Sequence, residues 1–176
     1  MKTKKIIFFD GDGTIWYPKE TKRKIKPHLI YSDKKIGDKY LEHLILTTSA
    51  LSSLNKLKRL GIILILISTH PHSKKEADVL LKEKVMYLKL ENIFDEFYTS
   101  RDYPEGKGEV ITGVLKKKHI PKYKALLIGD SYRYDYLSAK GVGVDCLLIK
   151  SEYMSAKGRR VKGIIKNLSD IIEIVN

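Results

Sequence analysis

Four short, largely apolar runs constrain the fold of this chain more than any other feature. They lie at residues 4–9, 62–67, 125–128 and 144–149. Runs of this length without polar and apolar alternation are typical of strands that are buried on both faces. A sheet made of such strands needs helices on each side. The runs therefore predict an α/β fold with a central parallel sheet.

Helical patterns separate the predicted strands. We predict helices at residues 48–60, 73–88, 107–119, 134–140 and 168–175. A weaker strand is predicted at residues 97–100, and the lysine-rich stretch 17–39 is predicted to be loop-like. Together these patterns predict one Rossmann-like, three-layer domain over residues 1–176, with a short flap or insert at about residues 15–46.

The composition favours a globular protein, because 43% of the residues are hydrophobic and 31% are charged. The apolar runs are far shorter than the roughly 20 residues that cross a bilayer, and the first residues show no signal-peptide cleavage pattern. The single cysteine, Cys146, cannot form an intrachain disulfide, which suits a reducing compartment. We therefore expect a cytoplasmic protein with no membrane partner.

The net charge of +13 has two explanations. It can attract nucleic acid or another polyanionic partner. However, most of the excess is lysine scattered over the whole chain, and a lysine-rich composition is also typical of proteins from hot environments. No nucleic-acid-binding motif accompanies the charge, so both explanations stay open at this stage.

Polar residues follow three of the predicted strands at the point where each strand ends. Asp10 and Asp12 follow the first strand within Asp-Gly-Asp-Gly-Thr, Ser68 ends the second, and Asp130 follows the third aliphatic run. Lys107 opens the helix after the weaker strand. Ligands of parallel sheets bind outside the carboxyl ends of the strands, so we expect these side chains to meet. Two carboxylates this close are stable mainly when they share a cation or a proton.

In this order the motifs resemble those of the haloacid dehalogenase superfamily of phosphohydrolases, over almost the whole chain. The segment 10–14 resembles that family's first motif, Asp-x-Asp-x-Thr, and the aliphatic strand ending at Ser68 resembles the second. Lys107 resembles the third motif, and Gly129 and Asp130 with Asp135 resemble the fourth. The resemblance implies a Mg²⁺-dependent phosphomonoester hydrolase.

The same resemblance implies a role for each residue. Asp10 would be the nucleophile, forming an aspartyl-phosphate, and Asp12 the general acid and base. The residues implied to bind the phosphate are Ser68, Thr69, Lys107 and Gly11. Those implied to hold Mg²⁺ are Asp10, Asp12 through its backbone carbonyl, Asp130 and Asp135.

Three other functions stay open beside this one. The basic charge favours a nucleic-acid 3′-phosphatase, although a small phosphorylated molecule is the expected partner. Asp12 favours phosphotransfer to water over halide displacement, but sugar phosphomutases of the superfamily carry the same pair of acids. A non-catalytic phosphate-binding module on the same fold would need a missing catalytic residue, and none is missing.

The spacing of the motifs leaves no room for a large cap domain. Only about 30 residues separate Thr14 from the helix that leads to the second strand. We therefore expect a small cap in the form of a flap over a fairly open site. Trp16, Tyr17 and Pro18 resemble the magnesium-dependent phosphatase-1 branch of the superfamily, although Gly13 stands where that branch usually has tyrosine.

Overall fold

The computed structural model describes residues 3–70, 72–101, 106–154 and 161–175. Within these residues the strands are β1 (Ile6–Asp10), β2 (Trp16–Pro18), β3 (Leu44–Leu46), β4 (Ile63–His70), β5 (Glu96–Arg101), β6 (Ala125–Gly129), β7 (Asp145–Ile149) and β8 (Ile164–Ile165). The α-helices are α1 (Ala50–Arg59), α2 (Lys74–Tyr87), α3 (Gly106–Lys117), α4 (Ser138–Gly141) and α5 (Asp170–Val175). A π-helix, Tyr132–Leu137, leads directly into α4.

Six of the strands form one parallel sheet in the order β5-β4-β1-β6-β7-β8. β1 lies in the middle, where Phe9 pairs with Leu66 of β4 on one side and with Ile128 of β6 on the other. The chain builds outward from β1 to β5 and then continues through β6 on the opposite side. Strand order therefore reverses beside β1, the position at which such sheets bind ligands. The predicted α/β fold is confirmed.

The central strands β1, β4 and β6 bury both faces, as their continuous apolar sequences require. Ile7 and Phe9 point into a core shared with α1, α2 and α5. Ile6 and Phe8 point to the other side of the sheet, into a core shared with α3 and α4. All four side chains are fully buried. Successive side chains of a strand face opposite ways, so β1 joins the two helical layers.

The insert, residues 15–46, contains more regular structure than its sequence predicts. β2 and β3 form an antiparallel pair in which Trp16 lies opposite Leu46, and 3₁₀-helices span Pro27–Ser32 and Gly37–His43. The loop-like prediction for residues 17–39 was therefore wrong in detail. Strands of three residues are too short to show a period of two, and their pairing depends on residues about 30 positions away.

Among the described residues, no helix is both long and apolar enough to span a lipid bilayer.

Helix α1 shows which of its leucines hold it against the sheet. Leu51, Leu54, Leu57 and Leu60 repeat every three residues, but a step of three falls short of a full turn, so their positions drift around the helix. Leu54 and Leu57 are fully buried, whereas Leu51 and Leu60 are 44% and 49% exposed. Only the middle pair packs into the core with β1.

We predict that Leu54→Ala lowers the free energy of unfolding by about 2–5 kcal/mol, because it leaves a cavity beside the sheet. The matched variant Leu51→Ala should change it by less than about 1 kcal/mol, because that side chain is half exposed. Urea unfolding followed by circular dichroism measures both values. Equal losses would contradict the assignment of the buried face.

Candidate active site

The carboxyl ends of β4, β1 and β6 bring the predicted site residues to one edge of the sheet. Asp10 is the last residue of β1, Ser68 lies near the end of β4, and Asp130 directly follows β6. These strands are neighbours in the sheet. A cleft of about 980 Å³ opens at this edge and is lined by all three residues together with Lys107 and Asp135.

Asp10, Asp130 and Asp135 form a buried acidic cluster. Each offers a carboxylate oxygen, and these oxygens all lie within 4.8 Å of one another. Burial, with the charges of Asp135 and Asp130, raises the pKa of Asp10 well above its ordinary value against the opposing effect of Lys107. Burial and the charge of Asp135 raise the pKa of Asp130 to about 7. A shared cation with oxygen ligands would relieve this repulsion, so the donor set fits a hard divalent ion.

Lys107 crosses from the start of α3 to the acidic cluster. Its ammonium donates to both Asp10 and Asp135 in a fully buried position. Burial lowers the pKa of Lys107, but the two carboxylates outweigh burial and raise it. Lys107 is therefore charged at neutral pH, and its ammonium contacts the carboxylate of Asp10.

Asp135 holds the loop after β6 as well as Lys107. Its second carboxylate oxygen accepts the backbone N–H groups of Asp130 at 3.1 Å and Ser131 at 2.8 Å. Gly129 makes this approach feasible, because a Cβ there would lie 2.1 Å from the carboxyl carbon of Asp135. The Gly-Asp pair of the fourth motif therefore reflects packing as well as charge.

Asp12 lies apart from the acidic cluster and has partners of its own. Its two oxygens accept from Lys84 at 3.0 Å, from the indole N–H of Trp16 at 3.0 Å, and from the hydroxyl of Tyr31. Burial raises the pKa of Asp12, but Lys84, Tyr31 and Trp16 together outweigh burial and lower it. The side chains of Asp10 and Asp12, two residues apart, thus occupy different electrostatic environments.

Lys84 and Tyr31 line the cleft and were not among the residues predicted from the sequence. Lys84 lies on α2 and Tyr31 in the 3₁₀-helix Pro27–Ser32. A lysine inside an amphipathic helix and a tyrosine in a lysine-rich stretch carry no local signal of function. Tyr153, beyond β7, was missed for the same reason, although its hydroxyl donates to Asp130.

Residues 16–18 resemble the magnesium-dependent phosphatase-1 branch, which usually has tyrosine at the position of Gly13. The space around Gly13 accounts for this difference. The φ of Gly13, +83°, is in the left-handed region, and a Cβ there would lie 2.0 Å from Asp130 Oδ2 and 2.4 Å from the hydroxyl of Tyr153. A tyrosine side chain does not fit at this position. The resemblance to magnesium-dependent phosphatase-1 remains a prediction.

The remaining predicted phosphate-binding residues lie beside the cleft. Ser68 and Thr69 line it, and the Thr69 hydroxyl shares a hydrogen bond of 3.0 Å with that of Ser100. Gly11 follows Asp10 directly. A Cβ on Gly11 would lie 2.5 Å from the ring of Trp16, so glycine lets that ring pass over the motif toward Asp12.

Solved structures share this fold. A haloacid dehalogenase-like family hydrolase from Streptococcus pneumoniae superposes with a TM-score of 0.71 at 17% identity, over 100% of both chains. A predicted phosphoglycolate phosphatase from Haemophilus somnus gives 0.73 at 15% identity, also over 100% of both chains. A HAD-superfamily hydrolase from Geobacter sulfurreducens gives 0.69 at 16% identity, over 98% of this chain and 97% of that one. At these identities the likeness shows the fold alone.

The sequence itself matches a family model. No curated protein sequence matches the chain significantly. The model for haloacid dehalogenase-like hydrolases, however, matches residues 10–149. That span begins at Asp10, ends with β7, and contains the acidic cluster, Asp12 and both buried lysines of the cleft. Because this family model matches most of the length of the chain, the chain belongs to the haloacid dehalogenase-like hydrolases.

Proposed function

We propose that this protein is a Mg²⁺-dependent phosphomonoesterase that forms an aspartyl-phosphate on Asp10. The observation that carries the proposal is the position of the Asp10 carboxylate. It lies at the end of the central strand, beside the ammonium of Lys107 and within 4.8 Å of the carboxylate oxygens of Asp130 and Asp135. A phosphate ester repels an anionic nucleophile; Lys107 supplies one compensating positive charge beside Asp10, and the three carboxylates would hold a divalent cation that supplies the rest.

The candidate ligands of Mg²⁺ are the carboxylates of Asp10, Asp130 and Asp135 with the backbone carbonyl of Asp12. The ion prefers oxygen ligands, and the raised pKa of Asp10 and of Asp130 supports a need for a cation here. When bound, Mg²⁺ would supply Lewis-acid stabilisation of the negative charge on the phosphate. The chain's own residues supply nucleophile, acid and base.

In the proposed reaction an oxygen of Asp10 forms a bond to phosphorus as the bond from phosphorus to the ester oxygen breaks. The charged Lys107, the Ser68 hydroxyl and the backbone N–H groups of Gly11 and Thr69 would stabilise the phosphate oxygens during transfer. Water then attacks the phosphorus of the aspartyl-phosphate, which releases inorganic phosphate and restores Asp10. Lys107 keeps Asp10 aligned because Asp135 fixes the same ammonium.

Asp12 would move the protons of both steps. It donates one to the departing ester oxygen and takes one from the attacking water. Lys84 favours the ionised form of Asp12 in the free protein. A bound phosphate brings like charge close to this carboxylate, which raises its pKa and favours the protonated form needed in the first step.

Replacing the nucleophile tests this mechanism. Asp10→Asn should lower the kcat for Mg²⁺-dependent phosphate release from para-nitrophenyl phosphate by at least about 10³-fold, because an amide is a poor nucleophile. The control Glu91→Gln removes an exposed carboxylate outside the cleft and should leave kcat unchanged. Wild-type turnover no faster than that of Asp10→Asn would contradict the proposed enzyme.

The acidic cluster also predicts a pH-dependent effect of Mg²⁺ on stability. The pKa of Asp130 is about 7 in the folded metal-free protein, whereas an unfolded aspartate ionises near about 3.9. Protonation of Asp130 therefore stabilises the folded state fully below about pH 4, and this stabilisation is lost as the pH rises through about 7. Because Mg²⁺ binds ionised carboxylates, it should raise the melting temperature strongly at pH 8 and little at pH 5.

Scanning calorimetry with and without Mg²⁺ at the two pH values measures this difference. Asp130→Asn should abolish most of the Mg²⁺-induced rise at pH 8. A rise of the same size at both pH values would contradict a metal site built on Asp130.

The substrate is proposed to be a small phosphorylated molecule, and a 3′-phosphorylated nucleic acid is the second candidate. Two observations favour the nucleic acid: Lys26 and Arg133 line the cleft, and the net charge of the chain is +13. We expect kcat/KM for glycerol phosphate to vary little with salt. A far higher kcat/KM for a 3′-phosphorylated oligonucleotide, falling steeply between 50 and about 200 mM salt, would favour the second candidate instead.

A further inference from the structure

Lys84 is a charged residue that is buried on the side of α2 that faces the core, a position usually taken by an apolar residue. Its side chain is almost fully buried, at 1% residue exposure, on the inward face of α2. Leu81 and Val85 beside it on that face pack into the core. A buried ammonium costs several kcal/mol unless it is paired, and an apolar residue would fill the same volume without that cost. The buried position of Lys84 therefore indicates that its contacts have a function in the cleft rather than in core packing.

The ion-pair partner of Lys84 is the carboxylate of Asp12. The distance between Lys84 Nζ and Asp12 Oδ2 is 3.0 Å. The other oxygen of Asp12 accepts from Trp16 at 3.0 Å and from Tyr31. Donors from α2, from β2 and from the 3₁₀-helix Pro27–Ser32 thus engage both oxygens. A carboxylate held from both sides cannot rotate freely, so its orientation toward the cleft is set before a ligand arrives.

The same side chains enclose the ammonium of Lys84. It lies 4.2 Å from the ring centroid of Tyr31 and 5.9 Å from that of Trp16, distances at which aromatic faces attract a cation. The Trp16 side chain is fully buried. These rings reduce the contact of the ion pair with water, which strengthens its attraction. Lys84, Trp16 and Tyr31 therefore form one support around Asp12.

We propose that Lys84 is a positioning residue that holds Asp12 in place to protonate the leaving oxygen. This inference rests on the proposed phosphatase function. As the bond from phosphorus to the ester oxygen breaks, the proton of the Asp12 carboxyl group moves to that oxygen, and Asp12 becomes a carboxylate again. The ion pair of Lys84 is with Asp12, whereas the proposed nucleophile Asp10 is paired with Lys107.

The proposal predicts that the effect of Lys84 depends on the leaving group. An alkoxide is a poor leaving group and needs the proton from Asp12 in the transition state. A para-nitrophenolate leaves readily without one. Loss of the support around Asp12 should therefore slow hydrolysis of alkyl phosphates much more than hydrolysis of para-nitrophenyl phosphate. Simple damage to the fold would slow both equally.

The experiment compares kcat/KM for glycerol phosphate and para-nitrophenyl phosphate in wild type and variants, with saturating Mg²⁺. Lys84→Met should lower the value for glycerol phosphate by about 10²-fold and that for the aryl ester by less than about 5-fold. Tyr31→Phe removes only the hydroxyl that contacts Asp12 and should shift the ratio the same way by about 10-fold. Lys84→Arg, which keeps a cation, should retain more of the wild-type ratio than Lys84→Met.

Controls remove matched groups elsewhere. Lys75→Met takes an exposed lysine from the same helix, and Tyr87→Phe takes a hydroxyl from its half-exposed end. Both should keep the wild-type ratio. An unchanged ratio in Lys84→Met and Tyr31→Phe, with or without a loss of overall activity, would overturn the role of Lys84 while leaving the phosphatase proposal intact. Wild-type inactivity toward both esters would overturn both proposals.

Discussion

The balance of buried charge at one edge of the sheet is the constraint on which the rest of the structure depends. Asp10, Asp130 and Asp135 converge there with Lys107 as their common counter-charge. One ammonium cannot neutralise three carboxylates, and burial together with the neighbouring acidic charges raises the pKa of Asp10 and of Asp130. A divalent cation would relieve this electrostatic repulsion, so the proposed metal binding would also stabilise the fold.

The parallel sheet makes this concentration of charge feasible. β1 and β6 are adjacent and their side chains are almost all apolar and buried, so apolar packing over their length offsets the cost of ending both strands at carboxylates. Glycine completes the arrangement where backbone and acids approach most closely. Gly13 adopts a positive φ against Asp130, and Gly129 lies under Asp135. Side chains at either position would push the acids apart.

The sequence was sufficient to predict the sheet and to nominate the acids, because both depend on local patterns. Aliphatic runs mark buried strands, and a polar residue at the end of such a run lies at the carboxyl edge by geometry alone. The support around Asp12 could not be predicted in the same way. Lys84 lies 72 residues from Asp12, and helical spacing places it on the apolar face of α2 without indicating which residue it would contact. Its role depends on how α2 and the insert pack, which is a tertiary property. The short strands β2, β3 and β8 were missed for a related reason, since their pairing comes from distant residues.

The two aspartates of the first motif each receive a lysine from a different helix, and this separates their chemistry. Lys107 of α3 contacts Asp10 inside a cluster of further acids, and the pKa of Asp10 is raised. Lys84 of α2 contacts Asp12, which also accepts hydrogen bonds from Trp16 and Tyr31, and these partners outweigh burial and lower the pKa of Asp12. Environments that drive two neighbouring carboxylates in opposite directions are how one site assigns them different tasks. Burial and the neighbouring acids oppose ionisation of Asp10, which a divalent cation would favour, whereas Lys84 favours ionisation of Asp12. In the proposed mechanism a bound metal would therefore activate the nucleophile, whereas the chain itself already orients the proton-transfer group.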